Sequence, residues 1–245
     1  RCLEAVLDLY RQPRGFERFQ GYLDLVRTQT GTMALPLSML NPMAKSHAVE
    51  RIEQLLAARA EDRALEAARE AAARFEAADD ALRTIVVLVD DALGGWTNRA
   101  FAEFAYRYER KHEVEHGWST VIVWTSEEPT PELIATRARE AIYRTSDERK
   151  RGPVRTLREI LEREGRTMRF AGHVRRYDDA TIAVVREKAA PHMDSTKAPA
   201  LFALLYGDET AESLGYPALG VPERGGYDLA LADATRIRPL LPKDG

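Results

Sequence analysis

Apolar residues in the first third of the chain recur every three or four positions, the spacing of helices that bury one face. Leu3 to Tyr10 and Phe16 to Val26 read as short amphipathic helices separated by Pro13-Arg-Gly15. Gly31 closes the second, and Leu35-Pro-Leu with Asn41-Pro42 reads as loop. Ser46 stands where an N-cap belongs, and the helix behind it runs through Ile52, Leu55 and Leu56 to about Ala60, with Asp62 placed to cap a continuation. Leu65, Ala68, Ala72, Phe75, Ala78 and Leu82 then form one stripe of a long helix. Its alanines permit close approach of a neighbouring helix, within the chain or in a second copy.

At Thr84 the pattern changes. Thr84-Ile-Val-Val-Leu-Val89 is a continuous β-branched run, the pattern of a strand buried on both faces. Asp90 and Asp91 end it, Gly94-Gly95 turns the chain, and Thr97 or Asn98 can cap a helix from Arg99 to His116, which Gly117 stops. Trp118 to Thr125 is a second strand; Thr130 and Pro131 then open a helix reaching about Arg144. The order β-α-β predicts a parallel pair joined by a right-handed crossover. Further helices are expected at Val154–Arg163 (with Gly165 as stop), Asp178–Ala189, Ala198–Tyr206 and near Asp228–Ala234, and a short third strand at Thr167–Ala171. The predicted class is a helix-rich α/β fold with a small parallel sheet containing the β-α-β unit 84–125. The whole chain, 1–245, reads as a single domain with a soft boundary near residue 150.

Composition narrows the partners. The chain of 245 residues carries a formal net charge of −3 and has a single cysteine, Cys2. Neither a disulfide framework nor a thiolate metal cluster is open to it. A cytoplasmic setting is the expectation, since no basic segment followed by an apolar run opens the sequence and no stretch approaches the ~20 apolar residues of a membrane span. From Arg137 to Arg176 thirteen Lys/Arg face six Asp/Glu, a local balance of +7 that leaves −10 for the remainder. Read alone, that stretch is a solvated helical surface or a site for phosphate or another anion. With an acidic whole and no helix-turn-helix, zinc-finger or RNA-binding signature, nucleic acid is not the expected partner.

Two local patterns carry chemistry. His112-Glu113-Val114-Glu115-His116 has the form H-E-x-x-H. Histidines four apart on a helix share a face and can both ligate Zn²⁺, with the intervening glutamate as general base. Over these five residues the chain resembles the zinc metallopeptidases called zincins. That resemblance implies His112 and His116 as ligands, Glu113 as catalytic base and Glu140 as a third ligand. Arg110 and Lys111 before the motif, Glu115 inside it and the absence of an H-x-x-G-x-x-H extension depart from that family. Because Phe101, Phe104, Ala105 and Tyr108 form the apolar face of the same helix, both imidazoles are expected to point inward, as metal ligands or as core histidines bonded to carbonyls.

The second pattern is the strand-end loop. Asp90, Asp91, Gly94, Gly95, Thr97, Asn98 and Arg99 join a buried strand to a helix N-terminus, where ligands of open α/β sheets bind. Free N–H groups there favour a small anion, and the paired carboxylates could hold Mg²⁺ beside a phosphate. Arg99 in the first helical turn opposes the helix dipole unless an anion or one of the two aspartates meets it. His47, His173 and His192 are isolated in sequence, and Tyr206, Tyr216 and Tyr227 either line a pocket or pin the tail. The expected function is a ligand site at loop 90–99, in a metal-dependent hydrolase if the pentapeptide is used. The competing class is a non-enzymatic partner-binding protein or homo-oligomer using the 65–82 helix.

Overall fold

The computed structural model describes residues 1–27, 35–74, 82–92 and 98–234. Helices α1 (Cys2–Arg11), α2 (Phe16–Val26), α3 (Ser46–Ala57) and α4 (Ala60–Ala72) precede strand β1 (Arg83–Val89). The crossover holds α5 (Arg99–Tyr108) and α6 (Lys111–Glu115), and β2 (Trp118–Trp124) follows. Then come α7 (Pro131–Arg151), α8 (Leu157–Ala171), α9 (Asp179–Ala189), α10 (Ala198–Tyr206), α11 (Asp208–Ser213) and α12 (Gly225–Ala234). The fold class is the expected one, helix-rich α/β around a parallel pair.

β1 and β2 run parallel and adjacent, in register from Arg83 opposite Trp118 to Val89 opposite Trp124. Among the described residues they are the whole sheet. Two strands are marginal alone; here α1 and α4 pack on β1, while α6 and α7 pack on β2. From Ile85 onward β1 is buried, as its unbroken apolar run requires.

Several boundaries differ from the sequence reading, each for a physical reason. Ser46 begins α3 rather than capping it, and Arg59 breaks α3 from α4 in the left-handed region at φ 53°. The buried face of α4 is Ala60, Ala64, Ala67, Ala68 and Ala71, set against α7 and β1. Leu65 and Ala72, from the expected stripe, are exposed; Phe75 and Ala78 lie outside the described residues. α7 runs past Arg144 to Arg151 because Arg144, Asp147 and Glu148 are buried in ion pairs instead of marking a solvated end. Thr167–Ala171 is the last turn of α8, not a strand. Gly165 lies inside that helix, where a Cβ would stand 2.2 Å from the Ala230 carbonyl oxygen of α12. It is a contact residue, and the stop is Gly172 at φ 87°.

The core falls into two clusters. One joins α1, α3, α4, both strands and the first half of α7. The other joins α8, α9, α10 and α12, with Ala100 and Tyr108 of α5. Between them runs a buried ionic layer. Glu103 and Arg107 of α5, Glu140 and Arg144 of α7 and Glu164 of α8 pair with one another at 2.5–3.2 Å.

Candidate functional site

The strands deliver two aspartates to their carboxyl end, and the surroundings spend both. Asp90 is buried; its Oδ1 lies 2.7 Å from His47 Nε2 and its Oδ2 accepts from Asn41 Nδ2 at 3.1 Å. Asp91 accepts from the Ser126 backbone N–H and hydroxyl at 2.9 and 2.7 Å, and from Arg99 Nη1 at 3.1 Å. Arg99 also donates to Glu127 at 2.5 Å. The misplaced cation of the first helical turn is therefore met by protein carboxylates. Asn98 caps α5, its side-chain oxygen accepting from the N–H groups of Ala100 and Phe101. Gly94, Gly95 and Thr97 lie outside the described residues.

The pentapeptide is arranged differently from the expectation. The helix breaks at Glu109 and Arg110, where Arg110 turns inward to Thr145 and Glu148. The restarted turn, α6, buries Val114 and leaves both histidines exposed. Their ring centroids are 4.1 Å apart, and His116 Nδ1 lies 2.8 Å from the His112 carbonyl oxygen. Glu113 accepts from the Thr120 hydroxyl at 3.0 Å, and burial pushes its carboxyl above the ordinary value. Glu140 is not brought to them. It is buried, bonded to Arg144 at 3.2 Å and to His173 Nε2 at 2.5 Å. Burial opposes its charge, but Arg144, His173 and Arg137 outweigh that and hold the carboxyl well below its usual range. Among the described residues no group of three or more His, Cys, Asp or Glu side chains is placed to hold a metal ion.

What the carboxyl end does hold is a cleft of about 640 Å³ between the two core clusters. Asn98, Arg99, Glu103 and Arg107 of the crossover form one wall, and Glu127, Arg137 and Glu140 a second. His173 and Arg176 after α8, with Tyr206, Arg224, Tyr227 and Asp228 from the C-terminal third, complete it. Its formal charges nearly cancel, yet their placement does not. Side chains of Arg99, Arg137, Arg176 and Arg224 are 35%, 20%, 48% and 25% exposed. Of their carboxylate partners, Asp91, Glu103 and Glu140 are only 3–4% exposed, Glu127 is 17% exposed, and Glu223 beside Arg176 is open at 67%. Arg224 holds Glu103 through two bonds of 2.8 and 3.1 Å. Burial disfavours the Glu103 charge, but Arg107 and Arg224 hold its carboxyl far below its ordinary value. The Tyr206 hydroxyl is buried without a hydrogen-bond partner among the described residues, and burial pushes its proton affinity well up.

Of the residues singled out in sequence, Asn98, Arg99, Glu140, His173, Tyr206 and Tyr227 line this cleft. Glu103, Arg107, Arg137, Arg176 and Arg224 were missed. The i,i+4 pairs Glu103/Arg107 and Glu140/Arg144 were visible, but such pairs ordinarily lie on solvated helix faces. No protein-family model matches the chain, and neither a curated protein nor a solved structure is significantly similar to it.

Proposed function

We propose that the cleft at the carboxyl end of β1 and β2 binds a small anionic ligand, such as a phosphorylated or polycarboxylate metabolite. The observation that carries this reading is the placement of charge: Arg99, Arg137 and Arg224 are each more exposed than the carboxylates they pair with. At these three positions the guanidinium edge stands in front of its acid. Arginine presents planar forks suited to phosphate and carboxylate oxygens, so several such edges around one space favour a multivalent anion. The volume lies within the range of about 300–1,000 Å³ typical of small-molecule sites. Tyr206 adds a phenol beside the same space, its hydroxyl without a hydrogen-bond partner among the described residues.

Calorimetric titration with inorganic pyrophosphate tests the reading. The expected result is saturable binding that weakens with added salt, since charges at the cleft mouth are screened over about 8–10 Å at physiological ionic strength. Arg176→Ala should weaken it several-fold, because this half-exposed side chain has, among the described residues, one carboxylate partner, Glu223 at 3.9 Å. Absence of binding at millimolar pyrophosphate, or an Arg176→Ala protein that binds as wild type does, would overturn the proposal.

A further inference from the structure

His173 and Glu140 make a pair that ligand binding alone does not require. Glu140 Oε1 lies 2.5 Å from Nε2 of His173, and Arg144 fixes the other oxygen of the same carboxylate at 3.2 Å. The carboxylate is anchored from behind and the ring is oriented by it. Nδ1 of His173 has no hydrogen bond to a described residue, and the side chain, 31% exposed, lines the cleft. A carboxylate-held imidazole with its other nitrogen open, beside an anion site, is the arrangement of a general base and its orienting group.

We infer that the cleft hydrolyses a phosphate ester, with His173 as general base and Glu140 as positioning residue. The inference rests on the anion-binding reading above. Rim arginines hold the phosphoryl oxygens and stabilise the charge that gathers on them in the transition state. A water beside Nδ1 gives up a proton to the imidazole as its oxygen bonds to phosphorus. The bond from phosphorus to the leaving oxygen breaks, and its electron pair stays on that oxygen. The leaving oxygen, in line on the far side of phosphorus, takes a proton from solvent water, and the imidazolium, held by Glu140, gives its proton back to solvent. One water and one ester become one phosphate acid and one alcohol, and no oxidant or reductant is needed. Phosphate is favoured over a neutral acyl ester because the guanidinium-lined walls match oxygens that are already charged.

The test compares p-nitrophenyl phosphate, bis(p-nitrophenyl) phosphate and neutral p-nitrophenyl acetate as substrates of the intact chain. Hydrolysis of at least one phosphate ester is expected. It should fall about 100-fold or more in His173→Ala, the usual scale for loss of a general base. Glu140→Gln should lower kcat several-fold with KM little changed, because the imidazole loses the group that orients it, and a purely structural glutamate would not give that split. Should Glu140→Gln fail to fold, the His173→Ala rate decides alone. A wild-type protein that binds pyrophosphate but hydrolyses neither phosphate ester overturns the catalytic inference and leaves the binding reading standing. So does turnover confined to the acetate, or turnover unaffected by His173→Ala. Failure to bind pyrophosphate overturns the binding reading itself.

Discussion

Arg144 on α7 grips the fully buried carboxylate of Glu164 on α8, with Nη2 2.8 Å and Nε 3.0 Å from its oxygens. Glu164 also takes Nη1 of Arg107 at 2.5 Å, so this acid bridges two buried guanidinium groups that Glu103 and Glu140 pair from their other sides. Such a node need not add net stability over an apolar alternative, because all three charges lost their water. Removing its acid is another matter. Glu164→Gln removes the acid that bridges Arg107 and Arg144, leaving the first to Glu103 and the second to Glu140. It should cost about 1.5–3 kcal/mol, the scale of a hydrogen bond to a charged group. Urea denaturation at neutral pH measures this, and a loss below 1 kcal/mol would show that water enters the layer.

The same layer dictates an acid response. Glu103, Glu140 and Glu164 are all held below the ordinary value of 4.5 by neighbouring arginines despite their burial. A carboxyl held low in the native state binds fewer protons when folded than when unfolded, so acidification favours the unfolded chain. The stabilisation is complete above about 4.5 and drains away as pH falls below it toward the depressed native values. Glu113 has the opposite sign. Its raised native value means that its contribution is present at low pH and is lost as pH rises through that value. Urea midpoints should therefore decline steeply below pH 4.5, and Glu113→Gln should raise the midpoint at pH 7 but not at pH 4. A flat acid limb would contradict the pairing in the layer.

Gly165 and the Ala230 carbonyl report how closely α8 and α12 approach. A methyl group at residue 165 would sit 2.2 Å from that oxygen and 3.1 Å from the Ala234 side chain. The obstacle is backbone, which cannot rotate aside. Gly165→Ala normally favours a helix by about 1 kcal/mol. Here it should instead destabilise by about 1–3 kcal/mol, the cost of overpacking a filled interface. Gly226→Ala, aimed at the Leu204 carbonyl at the same distance, should behave alike. Thermal melting of the two variants checks this, and a Gly165→Ala protein that melts higher than wild type would refute it.

How much of this was legible in the sequence depends on whether a residue's role was local. The run from Thr84 to Val89 and the Thr130-Pro131 helix start were readable because β-branched continuity and capping act within a few residues. Thr156 with Glu159 is an equally local capping box, and it starts α8 at Leu157 rather than at the expected Val154. Burial of charge was not legible. Arg144, Arg163 and Arg166 look like the lysines and arginines of a wet helix until α7 and α8 are set side by side. The cleft draws Glu103, Arg137, His173 and Arg224 from four separate stretches, so no spacing announces it. The H-E-x-x-H face misled because the break at Glu109 and Arg110 carries neither glycine nor proline, and it turned both histidines outward.

That outward turn yields a simple expectation. His112 and His116 touch each other and the helix end, and neither is buried. Replacing both by alanine should change stability by no more than about 0.5 kcal/mol, the usual range for surface positions. Pyrophosphate binding should be unchanged, because neither residue lines the cleft. Equilibrium unfolding and calorimetry on the double variant test the two statements separately, and loss of pyrophosphate binding would place the pentapeptide in the site after all.

The neighbouring aspartates at the end of β1 should separate in the same way, one structural and one electrostatic. Asp90 ties the strand end to α3 and the loop before it through His47 at 2.7 Å and Asn41 at 3.1 Å, and accepts from the Ala92 N–H of its own loop at 3.3 Å. It does not line the cleft. Asp90→Ala strips the acceptor from several buried donors at once and should cost about 1.5–3 kcal/mol, the scale of a hydrogen bond to a charged group. Pyrophosphate affinity should hold, since the cleft keeps all its arginines. Asp91 stands behind Arg99, 3.1 Å away, and offsets part of the charge that Arg99 presents to the cleft. Asp91→Asn keeps the shape and the bonds from Ser126 while removing that offset. Pyrophosphate should then bind about 2–5-fold more tightly, equivalent to roughly 0.5–1 kcal/mol, the scale of a partly exposed ion pair. The gain should shrink with added salt, as screening replaces the missing carboxylate. If Asp91→Asn weakens binding and Asp90→Ala abolishes it, the aspartates themselves hold the ligand, and the layering of arginine over carboxylate is not what the cleft uses.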